Sequence, residues 1–295
     1  LPESSRKNKA VLLIIISALL FTGMNSCVRL AGDLPPFQKS FFRNFVAAIF
    51  AAVTLAKTHT PVKIPKGCRK AMFLRALCGT IGILCNFYAI DKLALADASM
   101  LNKLSPFFAV IFSIFILKEK ASPKQIIAVV IAFIGSLFII RPTFSNMELV
   151  PSLIGFLGGA AAGAAYTFVR YMGKREVKGP IIVFCFSVFS CIVTLPIMLA
   201  DFRPMSAKQL LILLLAGLFA AGGQFAITGA YSFAPAKEVS VYDYSQVVFA
   251  AIAGFFLFEQ IPVPMSIIGY VIIISVAVWT FIQNNKSIDE RVKQQ

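Results

Sequence analysis

Apolar residues fill this chain in runs of about twenty, and polar residues are confined to the gaps between the runs. Ten runs can be drawn, roughly 10–31, 37–56, 70–91, 95–117, 124–141, 150–172, 180–200, 207–232, 237–258 and 263–283. A helix crosses a bilayer core with about 20 residues at a rise of about 1.5 Å each, so every run is long enough to be one crossing. The gaps carry turn and charge signals, among them Pro35-Pro36, Asp91-Lys92, Lys118 to Pro123, Arg141-Pro142, Pro235 and Pro262 to Pro264. The pattern predicts an all-α integral membrane protein of ten transmembrane helices, spans 1 to 10, with no separate soluble domain.

The runs also repeat. A Glu closes two of them, Glu119 and Glu259, which lie 140 positions apart. At that shift Ser105 falls on Ser245, Ala94 on Ala234, Ala96 on Ala236 and Lys103 on Asp243. Val28-Arg29 and Gly32 fall on Val169-Arg170 and Gly173 at a shift of 141. The expected units are residues 1–142, a first five-helix repeat, and 143–285, a second, with a polar tail at 286–295. Five is odd, so the second repeat starts on the other side of the bilayer and the two are inverted around a central cavity. That architecture belongs to secondary transporters.

Composition supports the membrane assignment: 58% of residues are hydrophobic and 14% charged, against about 25% charged in soluble domains. The net charge of +15 would suggest nucleic acid in a soluble protein. Its Lys and Arg sit in short gaps instead, 18 on the N-terminal side and 5 on the other. The positive-inside rule then predicts cytoplasmic termini in the cytoplasmic membrane, and no nucleic-acid partner is expected. The first run follows Arg6, Lys7 and Lys9 but shows no small-residue cleavage pattern, so it reads as a span and not a leader. Six dispersed cysteines, one histidine (His59) and no phosphate-binding glycine loop leave no metal site, cofactor or ATP site to predict. A membrane enzyme would have only Glu119 and Glu259 to build on, on opposite faces; a channel or scaffold is a further class.

Pro106, Glu119 and Pro123 in the first half, Gln246, Glu259 and Pro264 in the second, and Arg43 in span 2 together resemble the EamA-type branch of the drug/metabolite transporter superfamily. The resemblance covers nearly the whole chain. It implies spans 1–4 and 6–9 around the cavity, spans 5 and 10 outside them, and a small organic solute as cargo. The resulting expectation is a secondary active transporter that exports a small polar or zwitterionic solute, such as an amino acid or related metabolite, by alternating access. The alternative is a cationic-drug exporter coupled to protons. The bilayer and the solute are the expected partners, and the protein is expected to be a monomer or homodimer.

Charge inside a membrane is expensive and usually functional. Lys103 and Asp243 are therefore the first candidates. Counted along continuous helices, their backbones differ in depth by roughly 10–12 Å, room for a zwitterion between them; Asp243 is also the candidate protonation site. Arg43 lies about 10 Å inside span 2 and would favour an anionic group. Asn86, Tyr88, Asn102, Gln224 and Gln246 are polar candidates on the cavity helices. Arg29 and Arg170, at symmetry-related helix ends, read as gates or as interfacial anchors, and Arg75 as an anchor. Pro106 should kink span 4 beside Lys103. Gly155, Gly159 and Gly163 form a stripe expected to serve close helix packing.

Overall fold

The computed structural model describes residues 3–118, 122–141, 148–233 and 240–293. Glu119, Pro142 and the segment Ala234 to Lys237, used above as markers, lie outside these. Among the described residues every regular element is helical. Span 1 is Glu3–Leu30, span 2 Pro36–Lys57, span 3 Arg69–Lys92, span 5 Pro123–Ile140, span 6 Leu149–Gly173, span 7 Gly179–Ala200, span 8 Ala207–Phe233 and span 10 Pro264–Lys293. Span 4 is two helices, Leu95–Asn102 and Ser105–Ile116, and span 9 is a 3-10 turn, Ser240–Tyr244, followed by Ser245–Phe258. Among the described residues nine of the ten are long and apolar enough to cross a membrane, and the described part of the tenth, Tyr242–Phe258, is shorter.

The helix ends follow from local chemistry. Proline occupies the first turn of spans 2, 5 and 7, where its missing N–H has no partner to lose. Ser122 and Gln125 form a capping box at the start of span 5. Gly32 terminates span 1 with φ +71°, a conformation that costs glycine little. Arg141 and Glu259 end spans 5 and 9 in the left-handed region, φ 48° and 53°. Glu259 is exposed and caps its helix with its backbone N–H.

Span 4 corrects the expectation of a kinked continuous helix. It stops at Asn102, turns through Lys103 and Leu104, and restarts at Ser105 with Pro106 in the new first turn. A proline at 106 cannot donate to the carbonyl four residues earlier, so the break falls where a continuous helix would lose that bond. Span 9 passes from 3-10 to α geometry at the equivalent place with no proline present, and Ser245 opens its α-helix as Ser105 opens the second helix of span 4. A departure from regular α-helix is thus common to both copies. Discontinuous spans of this kind carry the binding sites of inverted-repeat transporters.

Packing obeys the same symmetry. Span 1 packs on span 8 and span 3 on span 6; span 2 packs on span 7 and span 5 on span 10. The second helix of span 4 lies on span 6, and that of span 9 on span 1. Exchanging each span with the one five further on leaves this pattern unchanged. The extensive contacts all cross between the repeats, so the repeats interlock. Glycine permits the closest approaches. A Cβ at Gly163 would come within 2.5 Å of the Phe108 Cβ and 2.7 Å of the Ser105 carbonyl, and one at Gly159 would strike the Leu101 carbonyl. The glycine stripe of span 6 thus packs on span 4 at its break. Gly82 faces span 6, while Gly222, its repeat partner at a shift of 140, faces Leu20 of span 1. Large apolar side chains such as Leu12, Phe115 and Phe256 point outward, as a lipid-facing surface requires.

Interlocking has a testable consequence. Residues 1–142 produced alone should aggregate in detergent, and co-production with 143–295 should restore a monodisperse complex. A folded, monodisperse single half would contradict the packing described.

Candidate functional site

A cavity of about 160 Å³ lies at the centre of the bundle. Spans 1–4 and 6–9 all contribute to its wall; spans 5 and 10 do not. Seven of the eight candidate binding residues line it: Lys103, Asp243, Arg43, Asn86, Asn102, Gln224 and Gln246. Tyr88 does not. Two residues from Asn86 along a helix is about 200° around the axis, so the two side chains point to opposite faces.

The breaks in spans 4 and 9 meet in this cavity. Lys103 Nζ donates to Asp243 Oδ2 at 2.5 Å, with side-chain exposures of 10% and 16%. This replaces the separation expected from the sequence. A uniform rise along continuous helices misplaces both residues, because each stands at the end of a helix interruption. The Tyr244 hydroxyl donates to the Lys103 carbonyl at 3.2 Å and satisfies one acceptor freed by the break. Asp243 Oδ1 is buried without a hydrogen-bond partner. Gln246 lies one turn further along span 9 on the same side, and Tyr242 turns away to stack edge-on against Phe281.

Arg43 is 7% exposed and donates from Nη1 to Asn44 Oδ1 at 2.6 Å. Arg75, read from the sequence as an interfacial anchor, is instead 6% exposed and lines the cavity, with its guanidinium 4.4 Å above the Phe186 ring. Its stem follows span 3 inward, away from the near interface.

Arg29 and Arg170 do not form a matched pair. Arg29 is held inside the bundle: Nη1 donates to the carbonyls of Ile90 at 2.8 Å and Leu93 at 2.5 Å, and the guanidinium covers the Phe258 ring. Arg170 is exposed at the end of span 6. Beside Arg29, Lys39 and Asp91 form an ion pair with contacts of 2.6 and 2.7 Å, and the Lys39 side chain is 0% exposed. Sequence position assigned these two charges to connections; they instead tie spans 2 and 3 together. Neither they nor Arg29 line the cavity.

The model of the EamA-like transporter family matches residues 8–141 and again 150–282. The chain belongs to the EamA-like transporter family. It is a multi-pass membrane transporter of the drug/metabolite superfamily, and its substrate is a small molecule. The pseudopaline exporter of Pseudomonas aeruginosa is 29% identical over 275 residues, covering 90% of this chain and 93% of that protein. Human solute carrier family 35 member G1 is 29% identical over 280 residues, covering 88% and 76%. The S-adenosylmethionine uptake transporter of Rickettsia prowazekii is 22% identical over 272 residues, covering 89% and 88%. One crystal structure shares the fold with a TM-score of 0.62 at 16% identity, covering 92% and 96%.

In this EamA-like transporter, sequence reasoning missed two further buried contacts. Asp97, in the first turn of span 4, accepts from the Tyr270 hydroxyl of span 10 at 2.5 Å, and both residues are buried. Asp97 lies inside the fourth apolar run, where the sequence offers no partner for it. The Gln260 side chain accepts from the Leu95 N–H at 2.9 Å and links the end of span 9 to the start of span 4.

Removing one partner of a buried ion pair typically costs about 3–5 kcal/mol. Lys39→Ala should therefore lower the thermal unfolding midpoint in detergent by several degrees. Lys92→Ala, at an exposed neighbour, should leave it nearly unchanged. Equal midpoints for the two variants would show that the Lys39–Asp91 pair does not hold spans 2 and 3.

Proposed function

We propose that this transporter exports a small polar or zwitterionic organic solute, an amino acid or related metabolite, through the central cavity by alternating access. The observation that carries the reading is the ion pair between Lys103 and Asp243. It joins opposite repeats inside the cavity, from the turn between the two helices of span 4 to the 3-10 turn of span 9. A solute with a carboxylate and an amine can replace each charge's partner by its own opposite charge. The carboxylate would take Lys103, and the amine would take Asp243, whose Oδ1 already lacks a partner. Exchange of one internal pair for two solute contacts frees the repeats to rock against each other at little electrostatic cost.

Export is the direction favoured by likeness to the pseudopaline exporter, which is more similar to this chain than the S-adenosylmethionine uptake transporter is. The excess of Lys and Arg on the N-terminal side supports cytoplasmic termini. A proton-coupled exporter of cations would rest on Asp243 alone, against Arg43, Arg75 and Lys103 in the same wall.

The test compares extracellular metabolites, by mass spectrometry, of cells producing the wild type, Lys103→Ala or Asp243→Asn at matched membrane levels. At least one small polar metabolite should accumulate several-fold outside cells with the wild type, and neither variant should support this. Depletion from the medium would reverse the direction. Wild-type behaviour of both variants would overturn the reading.

A further inference from the structure

The cavity contains positive charge that the Lys103–Asp243 pair leaves uncompensated. Arg43 and Arg75 enter its wall from neighbouring spans, and neither joins any of the three ion pairs among the described residues. Arg75 lies near enough to Arg43 to repel it, and the ionisable groups beside the two include Tyr166, Cys78 and Cys191. None of these is a carboxylate. The Nε of each arginine is buried without a hydrogen-bond partner, and so is the hydroxyl of Ser187, which lines the same cavity from span 7.

Both guanidiniums are fixed in place. Arg43 is held by Asn44, whose amide donates to the Ser40 carbonyl at 2.9 Å and to Ser190 Oγ at 2.9 Å. Arg75 lies between the Phe186 ring and Gly79; a Cβ on residue 79 would fall on its Nη1. The N-terminus of span 7 has no side-chain cap and opens onto the cavity through Gly179 and Pro180, adding its partial positive charge. A guanidinium does not give up its proton in a protein, and a buried charge is costly unless paired. Two such charges and an idle hydroxyl around one void make a site that an oxyanion completes.

We propose that Arg43 and Arg75, with Ser187, form an anion clamp, and that the transported solute carries, besides the carboxylate that takes Lys103, a second carboxylate or a phosphate bound by the arginines. This rests on the cavity being the transport path. It narrows the cargo to metabolites with two acidic groups and sets its orientation, with the second acidic group on the Arg43–Arg75 side.

The test measures thermal stabilisation of purified, detergent-solubilised protein by succinate, inorganic phosphate and phosphatidylglycerol, with choline chloride at matched ionic strength as control. Succinate or phosphate should raise the unfolding midpoint by several degrees over choline chloride; which of the two acts identifies the oxyanion. Arg43→Gln and Arg75→Gln should lose the shift. Gly79→Ala, which removes no charge but displaces the Arg75 guanidinium, should weaken it at least several-fold in half-saturating concentration. Stabilisation by phosphatidylglycerol alone, or an undiminished wild-type shift in Gly79→Ala and either glutamine variant, would overturn the clamp. Flux of a neutral or cationic solute without any anion effect would overturn it while leaving the transport reading intact. Anion binding without flux of any solute would do the reverse.

Discussion

Lys103 and Asp243 hold the arrangement together because each stands where regular α-helix is absent, Lys103 between the two helices of span 4 and Asp243 in the 3-10 turn that leads into the α-helix of span 9. An ammonium and a carboxylate at membrane depth cannot be left to themselves, and the two broken backbones bring them to contact. The interruption comes first in this chain of causes. Without it, Lys103 and Asp243 would lie at the different depths that a continuous helix dictates. With it, the four helix segments around the pair can approach so closely that Gly159 and Gly163 of span 6 touch carbonyls of span 4.

The pair also fixes which parts of the protein are stiff. Spans 1, 2 and 3 are tied by Arg29 to the carbonyls of Ile90 and Leu93 and by Lys39 to Asp91. These contacts lie within the first repeat and can move as a body. The Lys103–Asp243 bond crosses between repeats, so relative motion of the repeats has to break or rotate it. A structural ion pair and a coupling element differ in this respect: the first joins groups that travel together, the second joins groups that must part.

Ten apolar runs, the duplication and the inverted order were legible because bilayer thickness sets a length that the chain obeys nearly everywhere. The break in span 4 was half legible, since Pro106 announces a disturbance but does not say whether the helix bends or stops. The 3-10 opening of span 9 left no local mark, since Gln246 stands at the position equivalent to Pro106. Lys39, Asp91 and Arg75 were misread for a shared reason. Hydropathy places a charge near a helix end at the interface, whereas a long or partnered side chain can turn inward and be buried. Tyr88 failed for a simpler one, being on the wrong side of its helix.

Symmetry of shape and asymmetry of charge answer different requirements. For the cavity to open alternately to either side, the two repeats must be interchangeable as solids, and the glycine contacts are correspondingly paired, Gly82 with Gly222. A solute that is not itself symmetric can be recognised only where the copies differ. Val183 occupies the position equivalent to Arg43 at a shift of 140 and lines the same cavity, so one wall is cationic where its counterpart is apolar. Lys103 against Asp243 makes the second difference. The first repeat thus brings three cations to the cavity and the second one acid. In the proposed cycle a solute held by those charges would keep one orientation relative to the repeats, and its acidic group would travel with the first repeat whichever face is open.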